Sequence, residues 1–255
     1  MKHRVYYLFI LLLLPFVLGV VSCREIVKGI DAQEIVDRAI ADAGGELYDQ
    51  SDIEFSFRDV IYTQKREGGR RVTTRTRETD SGRVKDIWDG RSFRRYHGEQ
   101  NVIVSDSMAN VYSNSINSVL YFAQLPYGLN DPSVNKEWIG EKTIDGKQYY
   151  QIRVTFNQDG GGEDFEDVYI YWFDAETFKP EYLAYEFHVN GGGLRFREAY
   201  NERYVNGIRF VDYRNYRPVG EADLMQLDSL FERRKLELLS EIRLEDVVVS
   251  RDNYN

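Results

Sequence analysis

Val168-Tyr169-Ile170-Tyr171-Trp172-Phe173 is apolar at both odd and even positions. Successive side chains of a strand point to opposite faces of its sheet, so this run requires cover on both. Asp174-Ala175-Glu176-Thr177 turns it into a further strand over 182–189. Upstream, Tyr150, Ile152, Val154 and Phe156 alternate with polar residues, the period of a strand with one buried face. Downstream, Gly191-Gly192-Gly193 leads into Leu194-Arg195-Phe196-Arg197, and Val205-Asn206-Gly207 is a hairpin signal that feeds a strand over 208–216. Strands that follow one another through short turns build an antiparallel meander, not a parallel sheet.

The same pattern extends toward the N-terminus. Ile53, Phe55, Phe57 and Ile61 read as one alternating strand. Turns at Glu67-Gly68-Gly69, Asp80-Ser81-Gly82 and Asp89-Gly90 then separate strands over 70–79, 84–88 and 92–97. Three helices interrupt the strands. Asp31-Ala32-Gln33-Glu34 has the form of a capping box, and Gly44-Gly45 closes the helix over 31–43. Val111, Tyr112, Ser115, Ile116, Val119, Leu120 and Ala123 lie on one stripe of a helix over 106–125, stopped by Pro126 and Gly128. Ala222 to Glu232 predicts a third helix, before a strand over 236–244 and another over 247–249. About nine or ten strands are expected. The fold class is therefore α+β: a large curved antiparallel sheet with helices packed against one face.

The chain begins with Lys2 and Arg4, an apolar run of 17 residues from Val5 to Val21, and then Ser22-Cys23, with the only cysteine of the protein. This is the three-part layout of a secretory leader. Val20-Val21-Ser22-Cys23 resembles a bacterial lipobox, which makes 1–22 a lipoprotein signal peptide and Cys23 the acylated residue. Residues 23–30 are then the anchor and a tether of at most about 25 Å, and 31–255 a single domain. The competing reading is an uncleaved anchor, since about 17 residues is the lower limit for a spanning helix. Acyl chains on Cys23 attach the protein to a membrane at about 0.8 kcal/mol per buried CH₂. Lipoprotein-processing and sorting machinery are the implied partners. The location is the cell envelope, and Arg24 after the cysteine favours the outer membrane over the inner.

Losing Lys2 and Arg4 with the leader takes the formal net charge from −9 to −11, which argues against nucleic acid as a partner. No cysteine then remains for a disulfide, so the fold rests on an ordinary core.

The element order resembles the LolA/LolB-type half-barrel, a superfamily of periplasmic lipoprotein carriers and lipid-binding lipoproteins. More closely, the chain resembles an uncharacterised family of Gram-negative envelope lipoproteins. The segments that carry this are Glu34-Ile35-Val36-Asp37-Arg38-Ala39-Ile40, Tyr112-Ser113-Asn114-Ser115-Ile116-Asn117-Ser118-Val119, Gly160-Gly161-Gly162-Glu163-Asp164-Phe165 and Gly191-Gly192-Gly193-Leu194-Arg195-Phe196-Arg197-Glu198-Ala199-Tyr200-Asn201. The resemblance implies fold and address. It implies no chemistry.

Nothing in the residues marks an enzyme or a cofactor. His97 and His188 lack metal-ligand spacing, and no Gly-x-Ser-x-Gly raises a serine nucleophile. Glu163, Asp164, Glu166 and Asp167 after three glycines are weak candidates for calcium, set against a plain solvated hairpin tip. Arg195 and Arg197 share a strand face and are expected to pair with acids such as Glu186 or Glu198. The functional expectation is an apolar cleft for a lipid or acyl chain, lined by Phe55, Phe57, Ile152, Val154 and Phe156. Its roof is the second helix, with Tyr112, Asn114, Leu120 and Phe122. The alternative is an envelope interaction module that binds glycan or protein through an exposed aromatic surface, suggested by 19 Tyr, 14 Phe and 3 Trp.

Overall fold

A computed structural model describes residues 31–159, 165–188 and 191–251. The leader, Cys23, the tether, Gly160 to Gly162, Glu163 and Asp164 lie outside the described residues. Helix α1 (Ala32–Ala43) and the short α2 (Leu47–Gln50) precede a meander of β1 (Asp52–Phe57), β2 (Val60–Glu67), β3 (Arg70–Thr79), β4 (Gly82–Trp88), β5 (Phe93–His97) and β6 (Gln100–Val102). Helix α3 (Asp106–Ala123) follows. A second meander then takes in β7 (Val134–Ile144), β8 (Lys147–Phe156), β9 (Val168–Asp174), β10 (Pro180–Phe187), β11 (Gly193–Val205), β12 (Ile208–Pro218) and, after α4 (Leu227–Glu232), β13 (Leu236–Ile242). The last strand, β14 (Glu245–Ser250), returns to pair with β1. The result is two seven-stranded antiparallel sheets that do not close into a barrel.

Strand β9 is covered on both faces, as its composition requires. Tyr169, Tyr171 and Phe173 pack with Ile35, Val36 and Ala39 of α1, and with Leu125 and Leu129 beyond α3. Ile170 and Trp172 face the other way and pack with Leu224 and with Leu227 of α4. The first two long helices thus share one face of the second sheet, and α4 caps the opposite one. A third cluster joins Phe55, Ile53 and Tyr62 of the first sheet to Ile116, Leu120 and Ala123 of α3 and to Ile208 and Phe210 of β12.

Two glycines let α1 and the hairpin between β11 and β12 meet closely. Gly44 ends α1 at φ 132°, and a Cβ there would lie 3.0 Å from the Gly207 carbonyl oxygen. A Cβ on Gly207 would lie 2.8 Å from Leu47 Cδ1. Asn206 and Gly207 both have positive φ, the geometry of a two-residue hairpin turn.

Several expectations are corrected. The described residues form 14 strands rather than nine or ten. The strand read through 53–61 is broken by Arg58 and Asp59, at φ 52° and 61°, which form a tight turn without glycine. Strands β6 and β7 were not foreseen, because as edge strands they carry little apolar alternation. The third helix starts as a 3-10 turn at Leu224–Gln226 before α4. Val111 is exposed and leaves the α3 stripe.

The N-terminal half of α3 is fixed to the first sheet by a buried charge cluster. Asp86 on β4 is 1% exposed and accepts from Arg75 Nε at 3.0 Å and from Arg95 Nε at 2.6 Å. Arg95 lies 3.7 Å from the Tyr112 ring centroid, and an Arg75 guanidinium N–H donates to Ser115 Oγ at 3.1 Å. Burial pushes the Asp86 pKa up, but hydrogen bonds from Arg95 and Arg75 outweigh it and hold the group below its ordinary 3.8. A depressed folded-state pKa gives stability that is complete above the unfolded value and is lost as pH falls through the folded one.

Asp86→Ala leaves two buried guanidinium groups without their carboxylate. It is expected to cost about 3–5 kcal/mol in urea unfolding at neutral pH. Between about pH 4 and the acid transition the variant should lose less stability than the parent, since this titration is gone.

Candidate functional site

The C-terminal half of α3 lies over the interior between the sheets, with Ile116, Leu120 and Ala123 buried. Two cavities flank it. The first, of about 320 Å³, lies between α3, β2, β3 and the segment that follows the helix. Its polar wall includes Gln64, Arg71, Thr73, Asn114, Asn117 and Asp131, and its apolar wall includes Leu120, Tyr121, Phe122, Val134, Phe156 and Tyr169. The second, of about 260 Å³, lies between α3, the end of β1, and β11 to β13. Phe57, Val119, Phe122, Ala123, Val211, Tyr213, Ile242 and Leu244 give it a mostly apolar lining, with Arg58, Ser118, Arg197 and Asn215 as its other members. Ser118 and Phe122 line both cavities, so the helix is their partition.

Gln64 and Arg71 of the first cavity's polar wall are tied down. Gln124 Nε2 donates to Gln64 Oε1 at 3.2 Å. Arg71 donates to Asp49 Oδ1 at 3.0 Å and to the Tyr127 hydroxyl at 3.2 Å, and that hydroxyl donates to Asp49 Oδ2 at 2.7 Å. Burial pushes the Asp131 carboxyl up and also raises the buried phenols Tyr121, Tyr169 and Tyr171 above their ordinary value. These phenols stay neutral at physiological pH, so they act as apolar surface and hydrogen-bonding groups. They supply no base or nucleophile.

The second cavity differs because of Arg197. The residue is 8% exposed, donates to the Tyr185 hydroxyl at 2.9 Å and lies 4.0 Å from the Phe122 ring centroid. Its Nε is buried without a hydrogen-bond partner. Glu198 pairs instead with Arg214 at 3.3 Å and with the Tyr216 hydroxyl at 3.0 Å. Arg195 donates to the Leu194 carbonyl oxygen and stacks on Phe187. The expected pairing of Arg197 with Glu186 or Glu198 is therefore corrected. Strand parity places Arg197 on the inner face, whereas Glu198 is on the outer one with the α4 cluster.

The residues named from the sequence separate into three groups. Asn114, Leu120, Phe122 and Phe156 line the first cavity, and Phe57 with Phe122 lines the second. Phe55, Ile152 and Val154 are fully buried in the packed core and line neither. Tyr112 lies on the Arg75–Asp86–Arg95 cluster. Val119, Val211, Tyr213, Ile242, Leu244 and Arg197 were missed. Ile242 and Leu244 were legible as apolar positions of a late strand, but nothing local places that strand beneath α3. Of the acidic candidates, Asp167 is buried with His188 Nδ1 at 3.6 Å and Glu166 is exposed. Among the described residues no group of three or more His, Cys, Asp or Glu gathers for a metal ion. The exposed aromatic residues among them are Trp138 and Tyr204. No described helix is long and apolar enough to cross a membrane.

A family model matches residues 9–245. The chain belongs to DUF6503, a family of unknown function. It is an uncharacterised family, as the sequence resemblance implied. No curated protein matches this DUF6503 chain significantly. Solved structures that resemble it include a LolA superfamily protein from Nitrosomonas europaea, at 14% identity over 87% of this chain and 92% of that one, with a TM-score of 0.44. Another is a DUF1329 family protein from Desulfovibrio piger, at 12% identity over 88% and 94%, with a TM-score of 0.42. The lipoprotein LppX of Mycobacterium tuberculosis matches at 10% identity over 63% of this chain and 90% of its own, with a TM-score of 0.27. No residue, ligand or activity is carried from them.

Phe122→Ala removes the ring that both cavities share. It is expected to lower stability in urea unfolding by no more than about 3 kcal/mol, because the ring is only half-buried. Xenon NMR should report one enlarged apolar site in place of the original environment.

Proposed function

We propose that this protein is a non-enzymatic envelope lipoprotein that holds a lipid acyl chain between α3 and the second sheet. The observation that carries the reading is the apolar cavity of about 260 Å³ beneath α3. An apolar cavity of about 150 Å³ already admits benzene, and small-molecule sites begin at about 300 Å³. The cavity adjoins the first one through Phe122, a single half-buried ring, so a longer chain needs only a local rearrangement. Among the described residues its lining offers no set of groups for general acid–base or nucleophilic work, whereas its apolar surface suits a hydrocarbon. Acylation of Cys23 holds the domain at the membrane, the outer one in preference to the inner, within reach of such chains. Among the described residues the exposed aromatic side chains are Trp138 and Tyr204, which does not favour a contiguous glycan-binding face.

Mature protein extracted from membranes, exchanged into amphipol and analysed by native mass spectrometry is expected to retain acyl-containing ligand. Val119→Phe, which narrows the second cavity, should weaken retention of that ligand while the fold is kept by circular dichroism. A parent protein that carries no ligand, and that takes up neither added decanoate nor decanol, overturns the reading.

Cys23→Ala is expected to move the product from the membrane fraction to the soluble fraction. Retention in the membrane with undiminished yield would refute lipid anchoring at this residue.

A further inference from the structure

Arg197 is a buried cation without a carboxylate. Among the described residues none forms an ion pair with it, although its neighbours on both flanking strands are traced. Its contacts are the Tyr185 hydroxyl, and the Phe122 and Tyr185 rings at 4.0 and 5.1 Å. A guanidinium has five N–H donors and no way to become neutral, so a buried one with an orphaned Nε bears an unrelieved desolvation cost. Ring stacking offsets part of it. Among the described residues the other two buried arginines each have a carboxylate: Arg75 shares Asp86 with the half-buried Arg95, and Arg209 has Glu202 at 2.5 Å, although its Nη1 is also buried without a hydrogen-bond partner.

The surroundings repeat the sign. Among the described residues, the lining of the second cavity holds two arginines, Arg197 inside and exposed Arg58, and no carboxylate. This is notable in a chain of formal net charge −9, with 42 acidic residues against 33 basic ones. Asn215 is the cross-strand neighbour of Arg197, and its Oδ1 is also buried without a partner. Its Nδ2 makes only a long contact of 3.4 Å to Ser240 Oγ. Turning the amide lets Oδ1 accept from that hydroxyl and frees Nδ2 as a second donor beside Arg197.

We propose, building on the chain-binding reading above, that the second cavity selects an anionic amphiphile whose acidic head, a carboxylate or a phosphate, pairs with Arg197 while its hydrocarbon chain lies against Val119, Phe122 and Val211. The chain supplies the apolar contact and the head supplies the counter-charge that the protein omits. Charge-assisted hydrogen bonds of this kind contribute about 1.5–3 kcal/mol, which corresponds to roughly tenfold to a hundredfold in affinity.

The test uses the mature protein in amphipol, stripped of ligand, with decanoate, decyl phosphate, decanol, acetate and inorganic phosphate as probes in isothermal titration calorimetry. Decanoate and decyl phosphate are expected to bind at least about tenfold tighter than decanol. Acetate and inorganic phosphate, which lack the chain, should not bind measurably. Arg197→Met should bring the two acids down to the decanol affinity and leave decanol itself within about twofold. Arg195→Gln, which removes a charge from the same strand face outside the cavity, should change none of these values. A second readout does not depend on binding by the variant. Without ligand, Arg197→Met should melt at or above the parent temperature, because an uncompensated buried charge has been removed. With excess decanoate only the parent should gain stability over its decanol control. Equal binding of decanol and decanoate by the parent overturns the headgroup assignment and leaves the chain-binding reading standing. Absence of binding by all three long-chain probes overturns both. Tight binding of free acetate or inorganic phosphate overturns selection of an amphiphile.

Discussion

Asp86 places one buried negative charge between two arginines on adjacent strands, and the position of α3 follows from it. Arg75 and Arg95 are held in fixed orientations by the carboxylate, which gives Tyr112 a flat cationic surface to stack on and Ser115 a donor to accept from. The N-terminal half of a helix with few deeply buried residues is thereby docked by polar contacts rather than by a broad apolar stripe. Its C-terminal half is then carried over the space between the two sheets. There Ile116, Leu120 and Ala123 bury themselves, while Val119 and Phe122 face what space remains.

The interior thus contains two solutions to the same electrostatic problem. At Asp86 the chain supplies its own counter-charge, and the cluster is complete. At Arg197 no described residue does so, and among the described residues aromatic faces and one phenol provide the compensation. Replacing a buried charge with an apolar residue is often neutral or stabilising, so a cation left in this state needs a reason other than stability. An apolar cavity at its side supplies one.

Much of the fold was legible because its signals are local. The six apolar residues from Val168 to Phe173 specify cover on both faces, and α1 and α4 provide it. The Asn206-Gly207 turn and the Gly44 helix end both require positive φ, and glycine or asparagine announces it. The Arg58-Asp59 turn has the same geometry with neither glycine nor asparagine, so it read as continuous strand. β7 has only its two end residues buried, and without alternation it carries no strand period. The site was harder. Phe57, Leu120, Phe122 and Phe156 were found through their apolar character. That same character could not separate them from Phe55, Ile152 and Val154, which fill the core. Whether an apolar side chain borders space or another side chain depends on contacts across the sequence. Arg197 was misjudged for a related reason: its sequence neighbour Glu198 points to the other face of the strand.

The two walls of the second cavity are held in different ways, and this bears on how it is entered. At its floor the chain crosses from β13 to β14 through Arg243 and Leu244. Asp212 Oδ1 accepts from the Leu244 backbone N–H at 3.0 Å, and Arg203 donates to the Leu244 carbonyl oxygen at 2.5 Å. Arg203 and Asn201 in turn bind Asp212, so both backbone groups of a cavity-lining residue belong to one partly buried network. The roof has fewer such ties, with Gln124 at the end of the helix donating to Gln64 Oε1 at 3.2 Å. Ser118 Oγ bonds within its own helix, and the Tyr121 hydroxyl meets Tyr171 only at 3.5 Å. Local opening follows the distribution of contacts, and apolar contacts without hydrogen bonds tolerate displacement better than a satisfied polar network. The helix side of the cavity therefore carries fewer polar ties than the sheet side, and a chain held as proposed would be accommodated at the end of α3 that lies farther from the Asp86 cluster.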